Sequence, residues 1–210
     1  MDSLGKATGS QHLISSWEAF LSQLKGLSRQ FNVYGIGFSQ EIRLLNEEEI
    51  FGLAFPLKKS LDSFKPLFFP PLRNLGSPFL WEEEPEKEFR RKIILGVKAC
   101  DLKALKVLDY VFLGGREKDE DYEQIRRSSV IISSDCEEPE KNCFCLALGG
   151  KVYPEKGFDL NLSRLGAERI LIEIGSEKGE EILAGMELEP ALENDLKERD
   201  KKRKQILDLF

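Results

Sequence analysis

The chain has no stretch near the roughly 18 consecutive apolar residues of a membrane-spanning helix. Its opening, MDSLGKATGSQH, lacks the apolar core of a signal peptide. Basic residues are not in excess: 31 Lys and Arg stand against 37 Asp and Glu, a formal net charge of −6. That is the opposite of a nucleic-acid footprint. Histidine is almost missing, and His12 has no nucleophile–base set around it. No glycine-rich dinucleotide fingerprint is present either, because GIGFSQ (35–40) is not G-x-G-x-x-G. These absences point to a cytoplasmic protein that neither spans a membrane nor binds nucleic acid. Glycine (17) and proline (9) are ordinary, which excludes a fibrous or low-complexity chain. With 41% hydrophobic residues in 210, one sizeable core can form.

Cysteine is missing from most of the chain and concentrated in one part of it. Cys100, Cys136, Cys143 and Cys145 are all of it, the last three in a C-x6-C-x-C set. In a reducing compartment such clustering favours metal ligation or redox chemistry over disulfides. Three readings fit the spacing. One is a single four-iron cubane held by four thiolates. Another is a structural zinc site, although zinc usually takes two C-x2–4-C knuckles. The last is unrelated buried or reactive thiols. The C-x2-C-x2-C-x3-C run of a bacterial ferredoxin is not present.

Periodicity places these residues on elements. Leu13, Trp17, Phe20, Leu21, Leu24 and Leu27 predict an amphipathic helix over 12–30, with His12 a bystander at its exposed start. FNVYGIGF (31–38) and EIRLLN (41–46) predict a hairpin. The proline-rich segment 51–72 reads as loop with a short strand near Pro66–Phe69, its Phe64, Phe68 and Phe69 forming a core or docking surface; a flavin box is the sharper alternative. WEEEPEKEFRR (81–91) is a charged connector. IILGV (93–97) has the look of a buried parallel strand. Asp101 stands where an N-cap belongs, before a helix that Gly114 and Gly115 close. Cys100 then lies at a strand-to-helix turn, where the helix N-terminus is expected to lower its pKa. A short helix (117–129) and a second buried strand, VIISS (130–134), lead to Cys136, again past a strand's carboxyl end, where open α/β sheets place their sites. The stretch 152–166 receives no assignment, ERILIEIG (168–175) is a strand, and Ser176 caps a helix. After Pro190 the sequence reads as a solvated charged helix whose Ile206, Leu207 and Phe210 anchor to a partner. The expected fold is α/β (α+β the alternative): one domain over 1–186 with a mixed sheet flanked by helices, and a helical tail over 187–210.

The segments GVKACDLKALKVLDYVFLGG, DEDYEQIRR, DCEEPEKNCFCLALGG, GFDLNLSRLG and IEIGSEKGEEIL together resemble the amino-terminal domain of a family of electron-transfer iron–sulfur subunits. That family includes sulfhydrogenase β subunits, the A subunit of anaerobic sulfite reductase and related 4Fe–4S dicluster subunits. The resemblance covers about 31–185 and is strongest over 92–176; KKSLDSFKPLFFPP (58–71) is similar to the family's lysine-containing segment before the site. It implies that Cys100, Cys136, Cys143 and Cys145 hold one 4Fe–4S cluster, with Asp101, Tyr122, Arg126 and Arg127 in support. It also implies an electron-transfer subunit, itself non-catalytic, of a hydrogenase, sulfur or sulfite, or heterodisulfide reductase type complex. FAD and NAD(P) would sit on partner subunits. Two departures stand out: no cysteine follows Cys145, so a second, ferredoxin-like domain is not part of this sequence, and Leu146-Ala147-Leu148 replaces small polar residues, which would dry the cluster's surroundings. The rival functions are a zinc-stabilised scaffold and a flavin-binding subunit.

Overall fold

Residues 92–97 are apolar at every position but the first, as a strand covered on both faces requires. In the computed structural model, which describes residues 11–37, 39–69, 91–141 and 143–209, that segment lies near the middle of an eight-stranded sheet. The elements in chain order are β1 (His12–Ser16), α1 (Trp17–Leu27), β2 (Asn32–Ile36), β3 (Ile42–Leu44), α2 (Glu47–Phe51), α3 (Lys65–Phe68), β4 (Lys92–Val97) and α4 (Ala99–Leu113). Then come α5 (Glu120–Ser128), β5 (Val130–Ser134), β6 (Leu160–Leu165), β7 (Arg169–Ile174), α6 (Glu177–Leu183), β8 (Glu189–Pro190) and α7 (Glu193–Leu207). The strand order is β3-β2-β4-β5-β6-β7-β1-β8. The four strands β2, β4, β5 and β6 are mutually parallel, and the flanking pairs are antiparallel, so the sheet is mixed.

Alternation along the strands divides the core between the two faces. Ile93 and Leu95 pack with Phe20, Leu24 and Ile182, so α1 and α6 cover one face. Ile94 and Val97 pack with Phe68, Leu105 and Ile125, so α3, α4 and α5 cover the other. Leu171, which alternates with Ile170 and Ile172, lies with Ile14, Leu165 and Leu196, which puts α7 on that second face too. Gly96 breaks the alternation of β4: it has φ +88° and stands at a register shift between Leu95 and Val97. A residue with a Cβ is strained there. The shift returns Val97 to the face of α4 and sets the direction in which Lys98 and Cys100 leave the sheet.

Several expectations hold: the hairpin β2–β3, the buried strands β4 and β5, helices α4 and α5, strand β7, and the Ser176 cap, whose side chain accepts from Gly179 N. Four are corrected. The predicted helix over 12–30 begins only at Trp17, because His12–Ser16 pairs along β7 and Ser16 caps α1 through Ala19 N. His12 is consequently half-buried beside Arg199, 3.0 Å from its guanidinium, instead of exposed at a helix start. The short strand near Pro66 is one helical turn, since Pro66 fits the start of a helix, where no N–H bond is lost. Asp101 is the third residue of α4, not its cap. Its carboxylate accepts from Lys98 N at 3.0 Å. The stretch 152–166, left without an assignment, contains β6. Residues 1–10, most of the charged connector (81–91), Leu72 and Phe210 lie outside the described residues. Among the described residues no helix is long and apolar enough to cross a membrane.

Candidate metal centre

Parallel pairing of β4 with β5 brings their carboxyl ends side by side, and with them Lys98–Cys100 and Asp135–Cys136. Lys98 ties the two ends together. Its side chain is 2% exposed, and Nζ donates to Ser134 Oγ at 2.8 Å, Asp135 O at 3.1 Å and Leu57 O at 2.7 Å. All three ammonium donors are thus used, and the third draws the loop at Leu57 over the strand ends. Two residues further on, Lys59 Nζ lies 3.8 Å from Cys143 Sγ. The Cys143 sulfur also accepts from Glu140 N at 3.3 Å. Cys145 starts a turn closed by Gly150 N donating to Cys145 O at 2.8 Å. A Cβ on Gly150 would stand 2.5 Å from that same oxygen, so the turn needs glycine there.

All four cysteines are free and half-buried. They share one electrostatic neighbourhood: Cys100 is influenced by Cys136 and Cys145, Cys136 by Cys145 and Cys143, and Lys59 by Cys143 and Cys100. Burial pushes the Cys100 thiol up to about 12, with Asp101 and Cys136 adding to it. Burial pushes Cys136 up to about 11, against the pull of Lys98. The expectation that the helix N-terminus lowers the Cys100 pKa is overturned here: desolvation of a thiolate outweighs a dipole contribution that reaches only about 2 kcal/mol at best. Burial also works against a charged Lys59, yet Cys143, Cys100, Glu140 and Asp101 together hold its pKa above the ordinary lysine value. Burial pulls Lys98 below it.

Among the described residues, no group of three or more His, Cys, Asp or Glu side chains is gathered tightly enough to hold a single metal ion. Four zinc-bound sulfurs would stand about 3.8 Å apart, given tetrahedral Zn–S bonds of about 2.3 Å. The chemistry of the donor set nevertheless suits a polynuclear group. Four soft sulfurs come from three backbone segments, with two lysines beside them and thiols that a cationic core would deprotonate.

The other expected residues separate. Asp101 is beside Cys100 but is engaged with the backbone of Lys98. Arg126 lines a cavity of about 340 Å³ that opens over Cys100 and Cys145, and its Nε donates to Asp109 Oδ1 at 3.1 Å. Tyr122 is fully buried behind it, donating to the same carboxylate oxygen at 2.6 Å, so it acts on the cavity only through Asp109. Arg127 pairs with Glu123 on an exposed side of α5 and does not line the cavity. Phe64 and Phe68 are buried in the core, while Phe69 stacks on Phe112, so these three form no open box among the described residues. Leu148 is largely exposed and does not wall the site off from water.

Sequence reasoning missed Lys98, Asp135 and Arg203. The first had a signal, a lysine between a fully apolar strand and a cysteine. Asp135 is buried and accepts from Asn161 Nδ2 at 3.0 Å and Ser163 Oγ at 2.8 Å. Arg203 meets it from α7.

No family model matches the chain. Over 91 residues it is 35% identical to sulfhydrogenase 2 subunit beta of Pyrococcus furiosus, a stretch that is 43% of this chain and 26% of that protein. The match thus spans about a quarter of the relative's length.

Proposed function

We propose that this chain is an iron–sulfur electron-transfer subunit of a hydrogenase-type oxidoreductase complex, and that Cys100, Cys136, Cys143 and Cys145 hold one 4Fe–4S cluster. The observation that supports this reading is that four free thiols from three segments share one electrostatic neighbourhood beside the carboxyl ends of β4 and β5, with Lys98 and Lys59 close by. The similarity to a sulfhydrogenase β subunit supports it. Such a cluster would take up and pass on single electrons with every iron already ligated, which suits a relay instead of substrate chemistry. This chain's residues would supply the rest. The two strand ends fix Cys100 and Cys136, the Gly150 turn presents Cys145, and the lysine ammoniums offset the negative charge of four thiolates. FAD and NAD(P) would belong to partner subunits that exchange electrons with this one in the cytoplasm, alongside further iron–sulfur or catalytic subunits.

Anaerobic purification followed by iron, sulfide and zinc analysis tests the reading. About four irons and four sulfides per chain, with a broad visible absorption lost in Cys143→Ser and Cys145→Ser, are expected. One zinc and no iron would replace it with a zinc-bound scaffold, and a yellow chromophore released on denaturation with a flavin subunit.

A further inference from the structure

The turn that carries Cys145 and the outer side of α4 are joined into one surface by the contact between Lys103 and Leu148. Positions three and four apart on a helix share a side, so Cys100, Lys103, Val107, Tyr110 and Val111 lie along one stripe of α4. Val107, Tyr110 and Val111 are each more than half exposed, and Tyr110 reaches 80%. Lys103 Nζ donates to Leu148 O at 3.3 Å, which seats the 145–149 turn against the same stripe. Phe144 and Leu148 on that turn are likewise mostly exposed. Five large apolar side chains thus face solvent on the two elements, α4 and the turn, that also contribute Cys100 and Cys145 to a cavity, and exposed apolar groups of this kind mark interaction sites.

The charge of the surface says which kind. The chain as a whole carries −6. The cavity beside the patch is lined by five cationic side chains against two carboxylates, and both carboxylates are paired, Asp109 with Arg126 and Glu155 with Lys151. Lys106 and Lys156 bring further positive charge to its lining and form no salt bridge among the described residues. A local cation surplus on an acidic protein orients an acidic molecule toward that side and repels it elsewhere. The neighbouring apolar patch favours a protein surface over a small free anion, because apolar area at the core and charge at the rim are how transient protein interfaces are built.

We infer that the α4 stripe and the 145–149 turn are the docking face for an acidic electron-carrier protein, with Tyr110 and Phe144 as apolar contacts and Lys103, Lys106 and Lys156 as the charged rim. The inference rests on the reading of the site as an electron relay and adds the chemistry of the partner. In the encounter one electron passes between the carrier's redox centre and this chain. One centre is oxidised and the other reduced, and no bond forms or breaks.

Calorimetric titration of the anaerobically purified protein with an acidic plant-type 2Fe–2S ferredoxin, and separately with basic cytochrome c, tests the face. Ferredoxin should bind with an affinity that falls on the order of tenfold as salt rises from low to physiological ionic strength. Lys103→Glu/Lys106→Glu/Lys156→Glu should lose at least about tenfold, Tyr110→Ala/Phe144→Ala should lose affinity without losing the salt dependence, and cytochrome c should bind weakly or not at all. Equal binding of ferredoxin by the wild type and the charge-reversed variant, or tighter binding of cytochrome c, overturns the inference. Iron content and visible spectrum are recorded on the same samples. Intact iron with no ferredoxin binding defeats the docking face alone, and ferredoxin binding without iron defeats the relay reading alone. Circular dichroism of each variant separates loss of the surface from loss of the fold.

Discussion

Arg203 Nε on the last helix lies 2.7 Å from Asp135 Oδ2, one residue before Cys136, and its second nitrogen lies 3.1 Å from Oδ1. The guanidinium also stacks over Tyr153 at 4.0 Å. Both members of the pair are about one-tenth exposed at the side chain. With Asn161 and Ser163 donating to the same carboxylate, Asp135 is held from β6 and α7 at once. The helix that reads in sequence as a solvated tail therefore fastens the strand end that presents Cys136.

Removing Arg203 should be felt at the site as well as in the fold. Arg203→Ala leaves a buried carboxylate with two neutral donors, a change of roughly 3 kcal/mol for a broken buried pair. Arg203→Lys keeps the charge but not the fork and should lose less. Urea unfolding gives the stability, and the rate at which the proposed cluster is lost to a chelator gives the local effect. An Arg203→Ala protein with wild-type midpoint and wild-type cluster lifetime would show that α7 does not brace Cys136.

Lys98 makes a different prediction because its role is electrostatic as well as structural. Lys98→Met fills the space but orphans the Leu57 and Asp135 carbonyls and the Ser134 hydroxyl, and should lower stability by about 2–4 kcal/mol. It also removes a positive charge next to Cys136, which would favour the oxidised, less negative state of the proposed cluster. The midpoint potential should fall, as measured by anaerobic redox titration. A potential that stays the same or rises would mean that Lys98 is neutral in the loaded protein.

What the sequence revealed and what it concealed follow from how each feature signals itself. IILGV could be read because a two-sided strand leaves a continuous apolar run, and the four thiols because cysteine is absent elsewhere. Strand β1 was concealed because Leu13 falls in step with Trp17, Phe20 and Leu24, so the helical period runs backward into a segment that pairing with β7 claims. Strand β6 hid its Asn161 and Ser163, polar residues that are buried with their partners Asp135 and Ser133. Arg203 sits among KERDKKRK, where no spacing separates the two arginines that turn inward, Arg203 to Asp135 and Arg199 to Glu173 and His12, from the cations that face water.

Gly150 tests the geometry of the site without touching a sulfur. In Gly150→Ala the new methyl would meet Cys145 O at 2.5 Å, and backbone cannot yield as a side-chain tip can. The turn should open and move Cys145. Since Gly150 lies in a loop away from the core, global stability should change by no more than about 1 kcal/mol. The expected outcome is a folded protein, by circular dichroism, with clearly reduced iron per chain. Full iron loading in that variant would remove Cys145 from the ligand set.

The raised thiols predict how metal uptake depends on pH. At pH 7 Cys100 and Cys136, at about 12 and about 11, are protonated in the metal-free protein, so a metal must displace both protons. Each displaced proton raises the apparent affinity by up to about tenfold per pH unit while pH stays below the thiol's own pKa. Affinity for ferrous iron in the presence of sulfide should therefore climb steeply between pH 6.5 and 8.5, with proton release measurable in weakly buffered solution. The stability of the metal-free fold carries the opposite sign. Both folded values lie above the ordinary thiol value near 9, so this contribution is complete below pH 9 and is lost as pH rises through 11 and 12. Iron uptake independent of pH, with no protons released, would mean that these two sulfurs take no part in binding.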